Sequence, residues 1–266
     1  MGQRPIFHTP KGANMRKAIE ACGGTIFSTR NSLRNPKIIA HRGYHMIAPE
    51  NSLPAFRAAA EMGAWAIETD IHKTKDGVLV CCHNPTVDSY CDGTGSISDM
   101  TYEELSHLRI IKGRGLKLYP DADYRIPTFR EYLEICRTHG ALPFLEFKED
   151  LVEEALHTLR SMALEDYCVL SAISLDIIKR CRECSDRAFL HWIFGNEEEA
   201  PALAELGYAG MSYKIANLDD VPDGLIDRTH ALGLRVCMRA ADTKEAAKRS
   251  IEMGLDYFPS NTLVTL

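Results

Sequence analysis

No apolar run in this sequence approaches the roughly twenty residues that a bilayer-spanning helix needs, so stable membrane insertion is not expected. Positive charge is not in excess either. The 31 Lys and Arg stand against 37 Asp and Glu, a formal net charge of −6, which argues against a binder of nucleic-acid backbones and means that any anionic ligand must be met by local cations. Nine cysteines are an odd number, no secretory signal precedes them, and Cys181-x-x-Cys184 has no second pair to complete a zinc or redox site. Ile6 stands where myristoylation wants a small polar residue. Reduced thiols and a cytoplasmic location are the expectation. With 45% hydrophobic residues, the 266-residue chain can bury one large core.

The stretch from Ile38 to Asn84 organises the rest. Ile38-Ile39-Ala40-His41-Arg42-Gly43 is an apolar run that ends in an imidazole, a guanidinium and a glycine, the pattern of a buried strand delivering polar groups at its end. Pro49-Glu50-Asn51-Ser52 leads into Leu53 to Gly63, whose apolar spacing predicts a helix behind a capping Asn or Ser. Trp65 to Ile71 reads as a second strand. Its Glu68 and Asp70 are two residues apart and therefore on one side of the pleat, where paired carboxylates repel unless a cation holds them. After the Asp76-Gly77 turn, Val78 to Cys82 returns as a short strand and presents His83. Leu145-Glu146-Phe147-Lys148 adds a third carboxylate at a later strand end, so Glu68, Asp70 and Glu146 would form an all-oxygen site suited to Mg²⁺ or Ca²⁺ rather than zinc.

These residues, in this order, resemble the glycerophosphodiester phosphodiesterase family: His41-Arg42-Gly43, Pro49-Glu50-Asn51-Ser52, Glu68-x-Asp70, Asp76-Gly77, His83 and Glu146-x-Lys148. The resemblance implies a TIM-type (β/α)8 barrel, a divalent metal on Glu68, Asp70 and Glu146, and hydrolysis of a small-molecule phosphodiester with His41 and His83 as acid and base. Arg42 and Lys148 are expected to meet the phosphate, Arg through its bidentate fork and Lys as a point charge. The sequence departs from the family in two places. Asn84 follows the second histidine where the family usually has Asp, and the stretch Arg239-Ala240-Ala241-Asp242 replaces a Trp-Thr-Val-Asn segment. Arg239 is accordingly a candidate contact for a second anionic group of the substrate.

Along the chain, residues 1–37 read as an N-terminal arm that covers the bottom of the barrel or packs on a partner subunit of a homo-oligomer, and residues 38–266 as the barrel. Residues from about 85 to 126 form a small insertion after the second barrel strand, with Tyr90, Tyr119 and Tyr124 as candidate pocket walls. From Thr128 onward strands and helices alternate, giving nine strand candidates in all. Val78 to Cys82 is the one set aside as a hairpin partner, and a doubly wound open sheet is the alternative architecture. Two other activities compete with hydrolysis: a phospholipase D-like lyase forming a cyclic phosphate, and a degenerate barrel that binds a phosphorylated metabolite.

Overall fold

A computed structural model describes Ile26, residues 37–238 and residues 241–263. Its frame is a set of parallel strands: β1 (Ile38–Ala40), β2 (Ala66–Lys73), β4 (Leu142–Phe147), β5 (Val169–Ala172), β6 (Phe189–Gly195), β7 (Ala209–Tyr213), β8 (Arg235–Cys237) and β9 (Phe258–Ser260). They lie in the order β8-β7-β6-β5-β4-β2-β1-β9, and a parallel bridge from Cys237 to Tyr257 joins the two ends. The sheet is thereby a closed barrel, not an open doubly wound sheet. The short β3 (Leu79–Cys81) pairs antiparallel with the upper part of β2, as the Asp76-Gly77 turn predicts.

Side chains alternate across each strand, and this sorts the sequence into two cores. Ile67 and Ile71 of β2, Leu145 and Phe147 of β4 and Leu170 of β5 face outward under the helices. Those helices are α1 (Leu53–Glu61), α3 (Phe129–His139), α4 (Val152–Ser161), α5 (Leu175–Cys184), α6 (Ala200–Glu205), α7 (Leu225–Ala231) and α8 (Lys244–Glu252). Ser52 caps α1 by accepting from Ala55 N, and Thr128 with Glu131 forms a capping box on α3. Tyr132 of α3 is fully buried; its hydroxyl donates to Ile67 O at 2.6 Å and accepts from Phe144 N at 3.0 Å. One phenol thus ties α3 to β2 and β4, and Tyr132→Phe would strand two backbone groups at a cost of about 1–3 kcal/mol each.

Inside the barrel, Ile39, Ala66, Leu142, Phe144, Val169, Phe189 and Tyr257 pack together, and Ile26 closes this layer from below. The Ile26 amide donates to the Tyr208 hydroxyl at 3.0 Å. The rest of the arm through Asn35 and Pro36 lies outside the described residues, as do Arg239 and residues 264–266. The insertion between β3 and α3 has a core of its own around Val87, Tyr90, Ile97, Leu105, Ile110 and Tyr124, and carries the short capped helix α2 (Tyr102–Ser106).

The last strand is limited to Phe258–Ser260, and the Asp256 carboxylate before it accepts from Val236 N and pairs with His230 and Arg235. Helix α7 begins at Leu225 behind Gly224 at φ +71°, and a separate turn over Leu218–Asp220 precedes it. Tyr124 is not a pocket wall: it is 1% exposed, with its hydroxyl bonded to the backbone of Gly115, Leu118 and Tyr119.

Candidate active site

The inward positions of β2 and β4 bring the three predicted carboxylates together. Asp70 is in register with Glu146, and Glu68 lies two residues below Asp70 on the same face. One oxygen from each of the three lies within 4.8 Å of the others. Such a cluster is costly, and the neighbouring loop answers part of it. Arg42, in a left-handed backbone at φ +56°, turns its amide onto Glu68 Oε2 at 2.8 Å, while its guanidinium pairs with Glu50 at 3.1 Å and lies 3.6 Å from Asp70 Oδ2. Asn51, also left-handed, donates to Asp70 Oδ2 at 3.2 Å and accepts from the Thr69 hydroxyl at 2.7 Å. Lys148 places its ammonium 2.9 Å from Asp70 Oδ1 and against Glu146. Burial pulls that ammonium's pKa down, but Asp70 and Glu146 outweigh the loss and it ends above its ordinary value.

The compensation is incomplete. Glu68 Oε1 is buried without a hydrogen-bond donor, and the buried Asp70 Oδ1 is met only by the Lys148 ammonium at 2.9 Å. Burial, then Asp70 and Glu146, raises the Glu68 pKa well above the ordinary carboxylate range, against the pull of Arg42. Three carboxylates converging within 4.8 Å around a donor-less oxygen are what a hard divalent cation relieves, so the donor set fits one.

The two histidines are held in parallel ways. His41 directly follows β1, and its Nδ1 lies 3.0 Å from Asn261 Oδ1. Asn261 in turn gives its side-chain amide to Asp242 Oδ2 and its backbone N–H to Asp242 Oδ1, both at 2.7 Å. Because the carboxylate accepts only, the Asn261 NH₂ must face Asp242 and its carbonyl oxygen His41; His41 Nδ1 is then the donor and Nε2 carries the lone pair. Burial, then the Arg42 charge, lowers the His41 pKa, opposed by Asn261 and Asp70, so the imidazole is neutral near pH 7. His83 follows β3, with Nδ1 2.9 Å from Asn84 Oδ1 and the Asn84 amide on Ser89 Oγ at 2.9 Å. The uncharged Asn84 therefore still does the orienting. The His83 backbone carbonyl also lies 3.3 Å from His72 Nε2 of β2. His72, Asn261 and Asp242 went unnoticed in the sequence reading; only the strand-end position of Asn261 hinted at a role.

A cavity of about 330 Å³ lies between His83, Glu50, Tyr90 and the insertion residues Lys112 and Arg114, and a second of about 470 Å³ runs from His83 to Lys148 and His72. Of the three tyrosines, Tyr90 lines the first and bonds the Glu50 carbonyl. The largest cavity, about 1230 Å³, is on the outer flank beside α4 and α5; its charged lining is largely paired, as in Arg180 with Glu153, and it is remote from these groups. Cys181 and Cys184 on α5 are free thiols, and burial pushes Cys181 up to about 12.

Comparison with known proteins agrees with this geometry. The model of the glycerophosphoryl diester phosphodiesterase family matches residues 41–261. Human glycerophosphodiester phosphodiesterase 1 is 40% identical over 128 residues, which is 48% of this chain but only 38% of the human protein's length. A glycerophosphodiester phosphodiesterase of Caldanaerobacter subterraneus subsp. tengcongensis is 28% identical over 225 residues, covering 82% of this chain and 91% of that one. Among solved structures, an Oleispira antarctica phosphodiesterase in complex with the product sn-glycerol-3-phosphate superposes with a TM-score of 0.75 at 22% identity, covering 85% of this chain and 93% of that one. A glycerophosphodiester phosphodiesterase of Agrobacterium tumefaciens gives 0.71 at 23% identity, covering 85% and 98%.

Proposed function

This chain belongs to the glycerophosphoryl diester phosphodiesterase family, and from that premise we propose that it hydrolyses glycerophosphodiesters to an alcohol and glycerol 3-phosphate with a divalent cation, Mg²⁺ or Ca²⁺. The observation that carries the reading is the convergence of three carboxylates around a buried Glu68 oxygen that has no donor, next to strand-end His41. A domain that only bound a metabolite would have no use for such an instability. The glycerol 3-phosphate held by the Oleispira antarctica relative is consistent with the product.

In this reading Glu68, Asp70 and Glu146 hold the cation, which supplies Lewis-acid stabilisation of phosphoryl charge when bound. His41, kept neutral with Nε2 free, takes a proton from the attacking water; His83 gives one to the departing alkoxide. Arg42 and Lys148 are the cations beside the cluster for the non-bridging phosphoryl oxygens, and Arg42 is held in place for this by Glu50. Asn261 and Asp242 fix the tautomer of His41.

The test is direct. Incubation with a panel of glycerophosphodiesters under Mg²⁺, Ca²⁺ and Mn²⁺, with phosphorus NMR of the products, is expected to show glycerol 3-phosphate appearing only with a divalent ion. A cyclic phosphate as the end product would replace hydrolysis with the lyase reaction, and metal-independent turnover would remove the cation from the scheme.

A further inference from the structure

Eight large apolar side chains are exposed among the described residues, and five of them sit at the mouth end of the barrel, on segments that end or follow strands. The most exposed are Leu118 at 73% and Ile111 at 57%, at the two ends of the insertion segment Ile111-Lys112-Gly113-Arg114-Gly115-Leu116-Lys117-Leu118. That segment has three cations, no acidic residue, and no ion pair among the described residues to any of the three. In a chain of net charge −6 it is a local reversal of sign beside the cavity.

The segment is built to be there. Gly113 and Gly115 take positive φ, +123° and +69°, and lie so close to the β1–α1 loop that a Cβ would come within 2.7 Å of Pro49 Cα and 2.0 Å of Ile47 O. The buried Tyr124 hydroxyl accepts from Leu118 N at 3.1 Å and donates to Gly115 O at 2.7 Å. The exposed leucine is thus fixed on the rim by backbone hydrogen bonds, not left on a loose turn. Across the mouth, Phe194 is half exposed at φ +57°, a strained conformation for a bulky residue, where the β6–β7 register shifts between Trp192 and Gly195. Bulges of this kind re-aim side chains, and strain persists where the surroundings over-determine it.

We propose that the mouth face docks on the surface of an anionic phospholipid bilayer, led by residues 111–118. Alternation of aliphatic and cationic side chains lets Ile111 and Leu118 enter the acyl boundary while Lys112, Arg114 and Lys117 stay among the lipid phosphates. A protein partner of ordinary interface size needs a contiguous complementary patch. Here the apolar side chains are spread around an open mouth, which a deformable lipid surface accommodates. The far rim carries Glu198 and the Arg228-paired Glu197 beyond Phe194, so contact is led from the insertion side.

Co-sedimentation with phosphatidylcholine/phosphatidylserine vesicles, against pure phosphatidylcholine, tests this without reference to catalysis. The full chain is expected to bind the mixed vesicles preferentially and to be released by salt. Lys117→Glu should lower the partition coefficient about twenty-five-fold, two charge steps of about fivefold each, and Leu118→Asp should lower it further. Leu232→Asp, at a leucine 39% exposed at the opposite end of the barrel, should bind like the unaltered chain. All three variants should melt at the unaltered temperature. Equal binding by Leu118→Asp and Leu232→Asp, or no preference for the mixed vesicles, overturns the proposal. So does a vesicle-free dimer that Leu118→Asp dissolves, which would make the face a protein interface.

Discussion

The barrel interior holds two buried polar clusters built on opposite rules. In the lower layer, His191 Nδ1 and the Tyr257 hydroxyl satisfy each other at 2.5 Å, and Gly210 makes room for them, since a Cβ there would come within 2.5 Å of that hydroxyl. Burial pushes His191 down to about 3, so the pair is neutral. In the layer above, Glu68, Asp70 and Glu146 crowd charge of one sign, and a buried Glu68 oxygen has no donor. The lower cluster is what folding alone would select. The upper one costs stability, and chains tolerate such a cost where a site needs it.

The largest effect expected from breaking this contrast is at the carboxylates. Asp70→Asn and Glu68→Gln should each lower turnover by more than about a thousandfold, as loss of several kcal/mol of Lewis-acid stabilisation implies, and calorimetric titration should show weakened divalent binding. Yet Glu68→Gln should stabilise the metal-free chain at pH 8. A carboxyl whose folded pKa lies above its ordinary 4.5 loses stability as pH rises from there through the folded value, and the amide removes that loss. Its melting temperature should rise by about 2–4 °C per kcal/mol relieved, and added metal should no longer raise it. A variant that is both inactive and less stable would mean that the carboxylates are a structural network.

Next in size are the histidines. His41→Asn and His83→Asn should each reduce kcat by about 10²–10⁴ while metal affinity is retained. With a nitrophenyl diester, whose leaving group needs no proton, His83→Asn should recover and His41→Asn should not. Rescue of the opposite variant would exchange the two roles.

Most of the upper cluster was legible in the sequence because strands announce themselves by apolar runs and period-two spacing. Ile38–Ala40 predicted the position of His41, and Glu68-x-Asp70 predicted two carboxylates facing one way. The parallel sheet followed from the alternation after Thr128, and its closure into a barrel from the family resemblance. What escaped were contacts between residues far apart in the chain. His41 and Asn261 are separated by 220 positions, and no local pattern marks Asn261 as the acceptor for an imidazole. Lys148 reads in sequence as a point charge for phosphate that also offsets the carboxylates, and in the fold Asp70 and Glu146 engage it. His191 and Tyr257 gave no signal either, since each looks like an ordinary residue of an apolar strand.

Asn261→Leu should have a smaller effect with a diagnostic direction. Removing the acceptor of the Nδ1 proton should cost about tenfold in kcat through lost orientation of a general base. Asn261 raises the His41 pKa, so its loss should move the acid limb of the kcat/KM profile to lower pH. Damage to the fold alone would lower the rate at every pH and leave the limb in place.

The smallest effect on turnover, and the sharpest test of the contrast, is at His191. His191→Phe should leave kcat unchanged, because the lower cluster touches no reacting group. At pH 7 it removes the imidazole that the buried Tyr257 hydroxyl bonds, costing about 1–3 kcal/mol. Below pH 6.5 the unfolded chain takes up a proton on His191 that the folded chain refuses until about pH 3, so the unaltered protein loses stability at about 1.4 kcal/mol per pH unit from this group. The phenylalanine variant has no such loss, and by pH 5 the gap between the two should have largely closed. Pairing the change with Tyr257→Phe removes both polar partners and should be nearly neutral at pH 7. Urea titrations at the two pH values decide it: a gap that stays constant would mean that His191 is protonated in the fold, and the two layers of the barrel would then differ less than their geometry says.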